Sequence, residues 1–232
     1  MNEQVLDHLR DTGLADAGED ISGVGGAASL LSELPATYAA ALRITNGFTI
    51  NQGMNRIFGV RADRHMDLRA WNEPDAWRFA WGARADGFLF FGGTAFGDQY
   101  ALRRSPGGGF DDGVYLLDAN LLGADLVADT FDEFLAKEVI RNATMPHDPL
   151  AVAAMRAFGT VKPENHLVLT PSLLLGGVED PANMMPMDSY TAMIYGGDIA
   201  TAVEAADDEA AVTAVEPWTD DRGRRRLRVL LS

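Results

Sequence analysis

Short apolar runs alternate with turn-forming clusters along most of the chain, and only a few stretches keep a helical period. Pro35 suits a first helical turn, and Tyr38, Leu42 and Thr45 recur on one side of Ala36 to Thr45 until Asn46-Gly47 stops the pattern, which predicts a helix there. Ser29 to Glu33 is a shorter candidate just before it. Upstream, Gln4 to Arg10 is helix-like, and the glycines from Gly13 to Gly26 organise nothing periodic. Short strands are predicted at Ile57 to Val60, Phe79 to Trp81, Gly87 to Phe91, Gln99 to Arg103 and Val114 to Asp118, each bounded by Gly, Pro or Asp. Asp129 to Glu138 has amphipathic helical spacing, with Asp129 or Thr130 as its cap.

Met145-Pro146-His147-Asp148-Pro149 breaks the pattern and divides the chain into 1–145, an α+β domain, and 146–232, a β-rich segment able to pack on the same core. In the second part a helix is predicted over Leu150 to Phe158. Extended segments follow at Leu167 to Leu175, Thr191 to Ile194, Val212 to Trp218 and Arg224 to Leu231, the last two joined as a hairpin through Thr219 to Gly223. Arg222 to Arg228 holds five arginines directly after an acidic stretch, and local charge neutralisation at a sheet edge is the reading adopted for them.

Composition narrows the function classes. A chain of 232 residues with 47% hydrophobic and 23% charged side chains can bury a core without staples. The absence of cysteine excludes disulfides, thiolate nucleophiles and Cys-based metal sites. Thirty-four acidic against 19 basic residues leave a charge of −15 and a pI near 4.5. That charge opposes direct binding to nucleic acid and favours a basic protein partner. No apolar run approaches the roughly 20 residues needed to span a bilayer, and the first residues lack the basic and apolar regions of a secretory signal, so a cytoplasmic protein is expected.

Marks of catalysis are weak. Gly23 to Ala28 fits the letters of a dinucleotide fingerprint, but no apolar strand precedes it and no acidic residue follows between Leu34 and Ala62. His8, His65, His147 and His166 are scattered, and neither a G-x-S-x-G elbow nor a phosphate loop occurs. Of the carboxylate groups Glu73/Asp75, Asp111/Asp112, Asp207/Asp208/Glu209 and Asp220/Asp221, most fall in turn-like sequence, where Asp caps its own backbone. No catalytic residue, cofactor or metal ligand is assigned. An enzyme would need a site gathered from distant residues such as Glu73, His65 and Asp98.

Leu34-Pro35-Ala36-Thr37-Tyr38, Leu42, Asn46-Gly47-Phe48, Trp71, Trp77, Phe88 to Phe91 and Phe96 to Tyr100, then Val114 to Leu117 and Phe131 to Leu135, follow one another in an order that resembles the SUKH superfamily. Thr170 to Gly177 with Asp180 and Asn183 resembles the C-terminal part of immunity proteins against type VI secretion DNase toxins. These resemblances imply an α+β fold, a mixed, curved sheet of short strands flanked by helices with a C-terminal β-rich extension. They also imply a non-enzymatic immunity protein of interbacterial competition that neutralises a cognate toxin, expected to be a nuclease-type effector, by blocking its active site or substrate access. A non-immunity adaptor or regulatory scaffold of the same superfamily is the alternative. For toxin binding the candidates are Glu73, Asp75, Asp111, Asp112, Asp118 and Asp125, whose charge complements a basic cleft. Strand aromatics such as Trp71, Trp77, Trp81, Phe90 and Tyr100 are assigned to the core.

Overall fold

The computed structural model describes residues 7–9, 14–19, 21–207 and 210–232. Most of the helix-like Gln4 to Arg10 segment, Gly13, and Asp208 and Glu209 of the third carboxylate group lie outside them. Two helices, α1 (Ala27–Glu33) and α2 (Ala36–Ile44), lead into a six-stranded sheet of β1 (Phe48–Ile50), β2 (Asn55–Ile57), β3 (Phe88–Thr94), β4 (Gln99–Arg104), β5 (Phe110–Leu117) and β6 (Ala124–Ala128). Spatial order follows chain order, 1-2-3-4-5-6. The superfamily likeness implies a mixed sheet, whereas every pairing found in it is antiparallel. Short reversals connect all strands except β2 and β3, and such reversals permit no parallel crossover. The β2–β3 excursion contains α3 (Leu68–Asn72).

Central position makes β3 the spine, with both faces covered. Phe91 meets Tyr38 of α2 and Phe131 and Phe134 beyond β6, at ring-centroid distances of 5.2, 5.2 and 5.3 Å. Phe90 points the other way, 5.0 Å from Trp77, which in turn packs on Trp71. All the tryptophans from Trp71 to Trp81 are buried, as are Phe90, Phe91 and Tyr100, while Phe88 and Phe96 are half-buried. The expected cap after β6 is Thr130: its Oγ1 accepts from Glu133 N at 3.2 Å, and Glu133 Oε2 accepts from Asp129 N at 2.9 Å. These two bonds start α4 (Phe131–Phe134), which continues through a π-helical stretch, Leu135–Arg141, to a last turn at Asn142–Thr144.

The second half adds α5 (Pro149–Phe158), a hairpin of β7 (Asn165–Leu169) and β8 (Met184–Asp188), the long helix α6 (Ser189–Glu204), and a hairpin of β9 (Val212–Thr219) and β10 (Arg225–Leu231). Three expected strands differ from the structure. Phe79 to Trp81 is not a strand, because Arg78–Ala80 forms a tight 3-10 turn beneath α6. Thr191 to Ile194 is not extended but lies inside α6. That helix buries Tyr190, Met193 and Ile194 as well as Gly197, Asp198, Ile199 and Ala200, so no polar stripe marks its period, and its Gly196-Gly197 pair resembles a break. Gly197 is required by packing: a Cβ there would stand 2.8 Å from the Ala80 carbonyl carbon and oxygen. Leu167 to Leu175 is strand only to Leu169, then turns into a 3-10 segment, Leu173–Leu175.

Candidate functional site

Buried polar clamps fasten residues 161–232 to the first half. Arg56 of β2 is 2% exposed, and its guanidinium donates to the carbonyls of Gly53 (3.3 Å), Pro163 (2.8 Å) and Asn165 (2.5 Å). Burial lowers its pKa to about 10, against the opposing pull of Glu164 and Asp16. Trp81 Nε1 donates to Met193 O at 2.8 Å, and Tyr190 OH donates to Arg64 O at 2.7 Å. His65 Nδ1 and Ser189 Oγ lie 3.0 Å apart. This Ser–His contact is no nucleophile site, since Ser189 is fully buried and beyond the reach of a substrate. Asp198 of α6 receives the Arg226 guanidinium, Nε lying 3.0 and 2.9 Å from its two oxygens, and also accepts from Leu227 N at 2.8 Å. The carboxylate holds Arg226 above the usual arginine range. Arg222 and Arg224 reach Asp75 at 2.8 and 3.5 Å, and Arg224 also reaches Asp220 at 2.7 Å, in keeping with local neutralisation of the arginine run.

Between these clamps lies a cavity of about 660 Å³, walled by the β7–β8 hairpin and its 170–179 loop, by α6, by the turn around Gly97 and by one side chain each from β9 and β10. Met184, Met187, Met193, Leu173, Ile199 and Phe96 make it apolar, and Asp98, Asp148 and Glu179 are its carboxylates. Asp98 accepts from Thr94 Oγ1 and from Ala119 N, each at 2.8 Å, yet burial still raises its pKa. His166 in the same wall is held well below the ordinary histidine range by burial, then by the charge of Arg56, so it is neutral. Its Nδ1 has no hydrogen-bond partner among the described residues. Among the described residues no group of three or more His, Asp or Glu side chains is placed to hold a metal ion. No hydrogen bond or ion pair joins Glu73, His65 and Asp98 there.

The six sequence candidates do not converge. Glu73 and Asp75 are exposed after α3, with Asp75 engaged by the arginines. Asp111 accepts from Ser105 Oγ at the start of β5, beside exposed Asp112. Asp118, seven residues and about 23 Å further along the strand direction, closes a turn by accepting from Asn120 N and Leu121 N (2.8 Å each) and Gly123 N (3.0 Å). Asp125 is exposed on β6 near that end. Sequence reasoning missed the cavity altogether, because its walls come from segments spread from Trp81 to Leu227, nearly two thirds of the chain; the methionine cluster at 184, 185 and 187 was the one local signal.

The sheet, the helices on its two faces and the succession Leu34 to Leu135 place the first half among known proteins. Residues 28–137 match the SMI1 / KNR4 family (SUKH-1). The SUKH-1 match spans just under half of the chain, from α1 into the π-helical stretch, and stops before α5. SUKH proteins are associated with immunity and are generally not enzymes. No curated protein matches the sequence. Among solved structures, Atu4351 from Agrobacterium tumefaciens is similar over 95% of both chains, with a TM-score of 0.54 at 15% identity. That likeness shows a shared fold extending beyond the SUKH-1 segment into residues 138–232.

Proposed function

We propose that the protein is a cytoplasmic immunity protein that binds a cognate toxin and blocks its active site or its access to substrate. The SUKH-1 match over residues 28–137 carries this reading, since that family is associated with immunity proteins. A charge of −15 supports a basic toxin, and a nuclease, whose cleft must attract phosphates, is a partner of that kind. The likeness of Thr170 to Gly177, Asp180 and Asn183 to type VI DNase-immunity proteins supports a DNase effector of interbacterial competition. Glu73, Asp112 and Asp125, exposed on separate parts of the surface, would act by steering, with Asp75, Asp111 and Asp118 adding to the field while holding local partners.

The test is co-expression with the product of the adjacent gene, followed by association kinetics at low and high salt. Protection of the host, a stable complex and an association rate falling roughly tenfold or more as salt rises are expected. Replacing both Asp112 and Asp125 by Asn should slow association several-fold and leave dissociation unchanged. Neither protection nor a complex with the adjacent product would overturn the reading in favour of an adaptor role.

A further inference from the structure

We infer that the cavity between the β7–β8 hairpin, α6 and the β9–β10 hairpin is the anchoring site for a cationic protein partner: a bulky apolar segment of the partner enters it, and basic side chains flanking that segment meet carboxylates at its mouth. This rests on the proposed function and deepens it by naming the surface and the chemistry of the partner.

Size and lining come first. At about 660 Å³ the cavity lies within the roughly 300–1,000 Å³ of cavities that take ligands. Met184, Met185, Met187 and Met193 supply unbranched, polarizable side chains that repack around a guest, as adaptable protein-binding surfaces do. The apolar surface then continues outside the cavity. Met185 on β8 is 46% exposed and Val215 on β9 is 40% exposed, both lining residues, and Val178, next to the lining residue Glu179, is 64% exposed. Scattered exposed apolar side chains are ordinary, but three from separate segments around one hollow make a patch of the kind that partners cover. A small-molecule pocket has no need of that apron, whereas a protein surface does.

Charge sets the chemistry of the partner. Asp148 and Glu179 are exposed at the lining and Asp98 lies deeper, while no Lys or Arg lines the cavity among the described residues. Arg226 of β10 is paired with Asp198, and Arg224, just before the strand, with Asp220. With three carboxylates and no cation in its lining the mouth is negative, although Asp148 also caps α5 through Leu150 N at 2.8 Å, so an anchor carrying Lys or Arg beside its apolar side chains is preferred over an acidic one. The site differs from the six acidic candidates on the first half, whose part is long-range attraction.

Met185→Arg and Val215→Arg test this, because both positions are exposed and tolerate a long side chain while placing a cation against the expected cations of the partner. Thermal melts establish that each variant is folded, and the adjacent gene's product is the probe. Each variant should bind it at least about 30-fold more weakly, the loss associated with one anchoring side chain. Leu126→Arg, at an exposed apolar position on β6 outside the lining, should bind within about threefold of wild type. Wild-type affinity in both cavity variants, with the wild-type complex intact, overturns the inference and leaves the immunity reading standing. The same result with Nile red fluorescing in the wild type but not in the Met185→Arg variant reassigns the cavity to a small apolar ligand. Absence of any wild-type complex removes the parent reading and this one together.

Discussion

Arg56 and His166 carry much of what joins the two halves of the sequence, and neither stands out on a linear reading. A charged side chain buried to 2% exposure is tolerated here because three carbonyl oxygens replace its water, from the turn before β2, from Pro163 ahead of β7 and from Asn165 at its start. Beside it, neutral His166 packs its ring 6.0 Å from Trp71. Its burial has a consequence for pH. The unfolded chain takes up a proton near pH 6.5 that the folded histidine refuses, so the unfolded state binds more protons and stability falls as pH drops below that value. His65, also lowered by burial, contributes in the same direction, whereas Asp98, raised by burial, contributes in the opposite one. The informative quantity is therefore a difference between proteins. From pH 7.5 to 5.5 the wild type should lose more stability than His166→Phe, by up to about 1.4 kcal/mol per pH unit for a single proton. Urea melts across that range measure it, and identical slopes would remove His166 from the pH response.

At the scale of elements, α6 shows packing overriding local preference. In an isolated helix Gly197→Ala would gain about 1 kcal/mol. In this helix the added methyl meets the Ala80 backbone at 2.8 Å, and overpacking of that kind costs about 1–3 kcal/mol. The substitution should accordingly be neutral to destabilising by about 2 kcal/mol, read as a lower thermal midpoint, and a clear gain in stability would show that the helix and the 3-10 turn can separate without loss. A similar closeness governs the turn before β2. Gly53 has a φ of +84°, and a Cβ there would lie 1.9 Å from Val161 O, so residue 161 can rest on the turn only while position 53 is glycine. Three helices were legible in advance: α2 by Pro35, Tyr38 and Leu42, the α4 start by its cap, Thr130, and α5 by the run Leu150 to Phe158. The strands β6 and β8 were not. β6 is a solvent-facing edge strand of modest hydrophobicity, and β8 carries Pro186, which discourages a strand reading.

For the whole molecule, the boundary near residue 145 separates sequence patterns more sharply than it separates cores. Tyr190, Met193, Ile194 and Ala200 belong to the same apolar cluster as Trp71, Trp77 and Phe90. A smaller cluster joins Met54 and Ala95 of the first half to Ala154, Val161, Leu167 and Met184 of the second. We therefore expect a chain ending at residue 145 to lose cooperative unfolding and to aggregate, because it would expose Trp81 and leave the Arg56 guanidinium without two of its acceptors. Differential scanning calorimetry of the 1–145 fragment tests this, and a sharp transition close to that of the full chain would establish the first half as an independent domain.

What the residues determined by themselves is what depends on neighbours close in the chain: the helices α2, α4 and α5, the hairpins with glycine turns, the aromatic β3 spine, the acidic balance, and through their succession the likeness of the first half to the SUKH superfamily. Tertiary structure alone decided features built by contacts between distant segments. These are the burial of most of α6, the placing of Arg56 against residues 163 and 165, the spreading of the six acidic candidates over separate surfaces, and the apolar cavity with its acidic mouth. Periodicity records only whether a side chain meets water or core. It does not record which core, and a site assembled from residues 81 to 227 therefore leaves almost no trace in the order of the chain.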